Sequence, residues 1–321
     1  LLGSRGLGDV YKRQEKNCWI NIYPPYDPKE IKGLSNELDI PSDFFVDSLD
    51  IDERSRYEQE DGVQFIVLNI PIKNELSAEE YQALYLTIPI GIVEVDDYIL
   101  TISAFKNPVI DYFIERNARD FSTSNHSLFV LLLFERTVHY YLHYLKAIDN
   151  QRNLYEKELY YSSRNQELSN LMNIQKSLVY FVTSLRGNEL MMMRIQRTDF
   201  LKIARDEELA DFLDDIIIDM SQAQEMAQIY TDILNTIMNA FASIISNNMN
   251  KIMKRLTSIT IILMVPTLVA SFYGMNVPLW GQDDPFAFAI ICLVAIALTF
   301  LLGWFFTVSY THLTLPTSND V

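Results

Sequence analysis

The sequence predicts an α/β domain, then a long helical stalk, then a two-helix transmembrane hairpin. Three observations carry that prediction. Segments rich in Val, Ile, Thr and Tyr are concentrated in the first third of the chain. No Pro or Gly interrupts residues 188–265, so one helix can run far without a break. Two late stretches, 256–273 and 286–306, contain no charged residue. They approach or reach the roughly 20 residues that cross a bilayer as a helix.

A chain of 321 residues has room for two or three domains. It carries 42 Asp and Glu against 26 Lys and Arg, a formal charge of -16. Such a surface repels phosphate, which argues against nucleic acid as a partner. It suits divalent cations. Cys18 and Cys292 lie far apart and form neither a disulfide framework nor a zinc cluster. The two ends, "LLGSRGLGDVYKRQ" and "VSYTHLTLPTSNDV", resemble translated sequencing-adapter sequence. Residues 1–14 and 308–321 are therefore expected to be adapter-derived and to stand outside the fold.

Taken in order, residues 15–121 form the α/β domain. Segments 18–24, 63–72, 84–95 and 98–105 read as strands. Asp96 and Asp97 supply turn chemistry between the last two, which predicts a hairpin. Helical segments are expected at 27–39 and 42–50. "DFSTSN" at 120–125 reads as a linker and helix start. Residues 126–163 and 165–203 read as two long helices, so 122–205 is a helical hairpin. A third helix starts near 206, forms a stalk over 206–255 and continues into the membrane. A helix of about 60 residues is about 90 Å long, enough to carry movement from the cytosol to the bilayer.

"DFLDDIIID", residues 211–219, lies on this stalk. Spacings of three and four bring Asp211, Asp214 or Asp215, and Asp219 near one face. Like charges so placed destabilise a helix unless cations neutralise them. The cluster reads either as a solvated acidic face or as a cation site.

Lys251, Lys254 and Arg255 precede the first span, 256–273, whereas the connection 274–285 carries Asp283 and Asp284 and no base. Positive residues favour the cytoplasm, so the N-terminal part lies inside and the loop outside. The second span is 286–306. Along the first span and its approach, Asn239, Ser243, Ser246, Asn250, Met253, Thr257, Thr260, Met264, Thr267 and Ser271 recur at spacings of three and four. They form one stripe. Polar groups facing lipid are unfavourable, so the stripe faces other helices or water. It fits a packing surface or a pore wall. One helix encloses no channel, so the pore reading requires a cyclic homo-oligomer. Rings of Met253 and Met264 would then block ions by dewetting, and Pro266 should loosen the helix locally.

The first span ends on "SFYGMNVPLW", 271–280. Gly274 is expected to close the helix in a left-handed conformation. Asn276 follows it. An ordinary Gly/Asn cap explains the pair. Repeated around an axis, the amide oxygens would instead accept hydrogen bonds from the water shell that Mg2+ sheds reluctantly.

"YGMN" at 273–276, closing a proline-containing span and followed by a short loop and a second span, resembles the CorA magnesium transporter family. So does the preceding "NKIMKRLTSITIILMVPTLVASF". The resemblance covers residues 15–306. It implies a funnel-shaped homopentamer with an αβα sandwich in the cytosol, set in the inner (plasma) membrane with both ends of the chain cytoplasmic. It implies passive influx of hydrated Mg2+, with Co2+ and Ni2+ as further cargo, rather than an enzyme activity. By position, Tyr273, Gly274, Met275 and Asn276 would form the selectivity filter, with Asn276 touching the hydrated ion. Asn250, Met253, Leu256, Met264 and Thr267 fall where the family lines its pore, beside Thr257, Thr260 and Ser271 of the stripe. Leu256 and Thr257 compete for the axis-facing position. Asp215 falls at a regulatory intersubunit Mg2+ position, with Asp211 and Asp219 as weaker ligands. Asp47, Asp50 and Asp52 are weak candidates for its partner carboxylate. Where the family carries an acidic outer loop, Asp283 and Asp284 would attract the ion. The family's basic tail is missing here.

Two further readings stay open: a zinc transporter of the ZntB type, in which Met275 would usually be Ile, and a membrane-anchored scaffold that conducts nothing. His139 and His143 stand at i and i+4 but lack a third ligand, so a Tyr-rich packing face is expected rather than zinc. Met191, Met192 and Met193 read as core filler. No phosphate-binding loop is present, so ATP is not expected as a partner.

Overall fold

The computed structural model describes residues 18–25, 27–74, 82–115, 123, 125–162, 165–276 and 285–313. The chain divides into two units, Leu1–Ile237 and Met238–Val321. The first holds a five-stranded sheet: β1 (Cys18–Ile22), β2 (Arg56–Glu60), β3 (Val63–Lys73), β4 (Tyr85–Val95) and β5 (Tyr98–Ser103). The order across the sheet is β1-β5-β4-β3-β2. β1 runs parallel to β5, and the other pairs are antiparallel.

Helices cover both faces, as an αβα sandwich requires. On one face lie α1 (Pro28–Glu37) and α2 (Ser42–Leu49). Leu34, Phe44 and Phe45 pack there with Phe65, Val67, Val93, Leu100 and Ile102, and the Phe44 and Phe65 rings stack at 4.3 Å. The contact is close. A Cβ on Gly91 of β4 would meet Ser48 Oγ at 1.8 Å, so only glycine lets α2 lie on the sheet here. On the other face lie α4 (His126–Ser162) and α5 (Asn165–Thr198). Trp19 of β1 packs edge-on against Phe129, and Tyr141 against Phe181. Because both faces are covered, β3 and β4 are buried almost end to end, which is why they read as unbroken apolar runs.

Local chemistry sets the element ends. Asp27 caps α1 by accepting from Lys29 N, with Pro28 at the first turn. Asn125 caps α4 by accepting from Leu128 N at 3.0 Å, the start expected from "DFSTSN". Asp96 sits at φ +48 and closes the β4–β5 hairpin. The strands at 18, 63, 84 and 98 are found within two residues of expectation. Two elements were not expected from the sequence: β2 and α3 (Pro108–Glu115). α5 also ends early, at Thr198. Asp199 and Lys202 take positive φ, and Asp199 accepts from Ala204 N, so the chain turns before the next helix.

That helix, α6 (Glu207–Tyr273), has 67 residues and contains Pro266. Asp206 accepts from Leu209 N at its start, and Glu207 and Glu208 complement the positive end of the helix dipole. Leu213, Ile216, Met220, Ala223, Ala227, Leu234, Ile237 and Phe241 are buried. They form one stripe at spacings of three, four and, from Ala227 to Leu234, seven. The early part of α6 runs antiparallel to α5, linked by Gln175–Asn235 and Gln196–Asp214 hydrogen bonds. The last helix is α7 (Ala287–Leu313). It continues through 308–313, part of the segment expected to be foreign.

Candidate functional site

Two groups of residues carry the chemistry. The first is the distal part of α6. α6 and the Ala287–Val308 part of α7 are each long and apolar enough to cross a membrane, and their apolar windows are 0% buried inside the chain. A core helix of a water-soluble protein would be covered; these faces need lipid or partner helices.

Every expected pore-lining side chain on α6 is exposed: Asn250, Met253, Leu256, Thr257, Thr260, Met264, Thr267 and Ser271. Leu256 and Thr257 are both exposed, so a single chain does not choose between them. Thr257, Thr260 and Thr267 donate to the carbonyls of Met253, Leu256 and Leu263. Each hydroxyl hydrogen is therefore satisfied by its own helix, and the oxygen keeps a lone pair outward. That surface can accept hydrogen bonds from water without carrying charge.

The end of α6 corrects one expectation. Gly274 does not adopt a left-handed conformation; Gly62 is the glycine with positive φ among the described residues. Instead the helix unwinds gradually. Gly274 N donates to Ala270 O at 2.9 Å and Met275 N to Phe272 O at 3.3 Å. A Cβ on Gly274 would lie 3.3 Å from Ala270 O, tight enough to disturb this ending. Tyr273, Met275 and Asn276 are exposed beside it. Asp283 and Asp284 lie outside the described residues.

The second group lies near the start of α6. Asp211, Asp215 and Asp219 are exposed, on the side away from buried Leu213, Ile216 and Met220. They form an i, i+4, i+8 ridge of carboxylates. Asp214 departs from it, accepting from Gln196 of α5. Carboxylate oxygens suit Mg2+. Within one chain, however, no three His, Cys, Asp or Glu residues among those described converge on a metal position. An ion here would complete its shell with water or with groups from a second copy.

Asp47, one candidate partner carboxylate, is already engaged. Its Oδ2 lies 2.6 Å from Arg56, which also pairs with Glu53 and Glu58. Burial works against the Arg56 charge, but Glu58, Glu53 and Asp47 together raise its pKa. Asp50 is exposed and accepts from Asp52 N at 3.1 Å, a bond within its own turn. Nothing in the sequence marked Arg56 or Gln196: Asp47 and Asp214 reach them from other elements, while Glu53 and Glu58 are local partners of Arg56. The histidine pair differs from expectation in part. The Tyr-rich surroundings are found, with His139 beside Tyr140 and His143 beside Tyr144, but both histidines are exposed and border an open cleft.

Comparison with known proteins decides the family. The family described as "CorA-like Mg2+ transporter protein" matches residues 14–307. The chain belongs to the CorA family. A cobalt/magnesium transport protein CorA from Methanocaldococcus jannaschii is 26% identical over 318 residues, covering 93% of this chain and 94% of that one. The complete structure of the CorA magnesium transporter from the same organism superposes with a TM-score of 0.76 at 23% identity, covering 89% of each chain. A ZntB cytoplasmic domain from Vibrio parahaemolyticus matches more weakly, with a TM-score of 0.57 at 14% identity over 73% of this chain and 89% of that one. At these identities the two structures speak to fold alone. As a CorA-family member the chain is a divalent-cation transporter protein of the membrane, not a member of an enzyme class.

Proposed function

We propose that five copies of the chain surround one axis and conduct hydrated Mg2+ passively into the cell, with Co2+ and Ni2+ as further cargo. One observation carries this reading: the hydroxyl-and-methionine stripe of α6 is uncovered by its own chain and ends on Tyr273-Gly274-Met275-Asn276. In the assembly Asn276 amides meet the hydrated ion at the outer mouth. Asp283 and Asp284 raise its local concentration. Rings of Met253 and Met264, with Leu256 beside them, close the path by excluding water. Lys251, Lys254 and Arg255 hold the stalk side in the cytoplasm of an inner-membrane protein. A membrane potential of 100 mV supplies about 2.3 kcal/mol per charge, doubled for a divalent ion, so no ATP is needed.

Mg2+ on the cytosolic side also regulates the pore in this reading. Bound between subunits near Asp215, with Asp211 and Asp219 contributing, it offsets carboxylate repulsion and holds the stalks closed. When internal Mg2+ falls, repulsion favours the open arrangement. The ion acts by binding the closed state more tightly.

Flux of Mg2+, Co2+, Ni2+ and Zn2+ into proteoliposomes tests the proposal. Wild type should pass Mg2+, and Asn276→Ala should lower that flux by about tenfold or more, as for loss of one solvation layer at a filter. Flux of Zn2+ alone would assign the chain to the ZntB type. No flux from wild-type protein of intact assembly would leave only a scaffold.

A further inference from the structure

A cleft of about 440 Å3 lies between α3 and α4, apart from the proposed ion path. Asp111, Tyr112 and Glu115 line it from α3. Arg136, His139, Tyr140 and His143 line it from one face of α4. The unusual member is Arg136. Its side chain is 18% exposed, and the nearest carboxylate oxygen among the described residues, on Glu135, is 4.0 Å away. The guanidinium carbon stacks 3.7 Å from the Tyr112 ring centroid. Its Nε is buried and donates to none of the described residues.

A cation withdrawn from water with an idle donor is costly unless an anion completes it. Among the described residues, Glu135 is the carboxylate within 4.0 Å of Arg136, and Asp111 and Glu115 share the cleft lining without pairing with it. Asp111 lies 3.7 Å from Lys106 instead, and partial burial raises its pKa. Partial burial, then the Arg136 charge, lowers the pKa of His139. As a neutral ring it can still donate one N–H. A fixed cation, two imidazoles, aromatic walls and the Asp111 and Glu115 carboxyls thus border one open space.

We propose that this cleft binds a small organic anion, with its carboxylate or phosphate on Arg136, His139 and His143 and its body against Tyr140. The volume is that of a small-molecule site rather than of a bare ion. Guanidinium is suited to both headgroups because its parallel N–H groups match paired oxygens. A chain of formal charge -16 has no general attraction for anions, so saturable binding reports a built site.

Isothermal titration of the full-length protein in detergent tests this, using phenyl phosphate and benzoate at constant ionic strength. At least one should bind saturably, and the tighter of the two identifies the headgroup. Arg136→Gln should weaken that binding about tenfold or more, the scale of losing a charged hydrogen-bonded pair. If Arg136→Gln loses its thermal transition, His143→Ala provides the comparison and should weaken binding about threefold or more. No saturable binding of either probe to wild type overturns the proposal. So does undiminished binding by a folded Arg136→Gln or, in its place, by His143→Ala.

Discussion

β2 pairs with β3 only as far as Arg56↔Val67, yet β3 runs on to Lys73. Beyond that step the Asn69 backbone faces an open edge, and the Asn188 side chain of α5 fills it. Asn188 Oδ1 accepts from Asn69 N at 3.1 Å, and Asn188 Nδ2 donates to Asn69 O at 2.7 Å. One side-chain amide thus reproduces both hydrogen bonds of a strand partner. Ser55 Oγ also donates to Asn188, and Tyr141 Oη, fully buried, donates to Asn69 O. Burial raises the Tyr141 pKa, so the donor stays protonated. Asn188→Leu keeps the volume but leaves Asn69 N–H without an acceptor. It should cost about 2–3 kcal/mol, read as a clear drop in melting temperature of the purified protein. Asn188→Asp keeps the acceptor but sets a carboxylate oxygen against Asn69 O and buries a charge, so it should cost at least as much. An unchanged melt for the leucine variant would mean that water repairs the edge. Nothing in "RGNEL" foretells this role, because the partner lies 119 residues away in sequence. The stripe along α6 was legible by contrast, since helical spacing alone lines up Asn250, Met253, Thr257, Thr260, Met264, Thr267 and Ser271, all exposed.

At the scale of elements, legibility follows how local each cause is. β3 and β4 were readable as apolar runs, and the β4–β5 turn as Asp96-Asp97. β2 was missed because its residues, Arg56 to Glu60, are mostly polar and half-exposed at the sheet edge. The available signal was Asp61-Gly62. Both have positive φ, the requirement of a tight hairpin turn, and Asp-Gly is a favoured pair for it. Pro71 and Pro89 look misplaced inside strands, but each lies past the point where the outer neighbour strand stops pairing. The missing N–H therefore breaks no ladder. α6 shows a division of labour along one helix. The Gln175–Asn235 and Gln196–Asp214 hydrogen bonds tie its early part to α5, one stripe of that part is buried, and Asp211, Asp215 and Asp219 project from the opposite side. Neutralising the central charge should therefore spare the fold and alter regulation. Asp215→Asn is expected to weaken inhibition of Mg2+ flux by internal Mg2+ about threefold to tenfold, without a loss of melting temperature. Patch recordings across a series of internal Mg2+ concentrations read this directly. Inhibition at wild-type concentrations would remove Asp215 from the regulatory site.

At the scale of the whole molecule, α6 becomes a helix in need of partners. From Ala242 to Asn276 its side chains are exposed or half-exposed, including Ile244, Ile245, Met249 and Ile252 before the span begins. Apolar residues ahead of the membrane gain nothing from lipid, so copies of the same helix are the economical cover. A cyclic arrangement covers them and turns the hydroxyl stripe inward in one step. The same closure gathers several chains of formal charge -16, and their repulsion opposes it. Divalent cations that bind the assembled state then stabilise it by mass action. Native mass spectrometry in mild detergent should find five times the 37.3 kDa chain mass in millimolar Mg2+. Chelating Mg2+ should lower the dissociation temperature of that species, and Asp215→Asn should shrink the Mg2+-dependent difference. A stable monomer or dimer under both conditions would leave the α6 stripe without the enclosure that conduction needs.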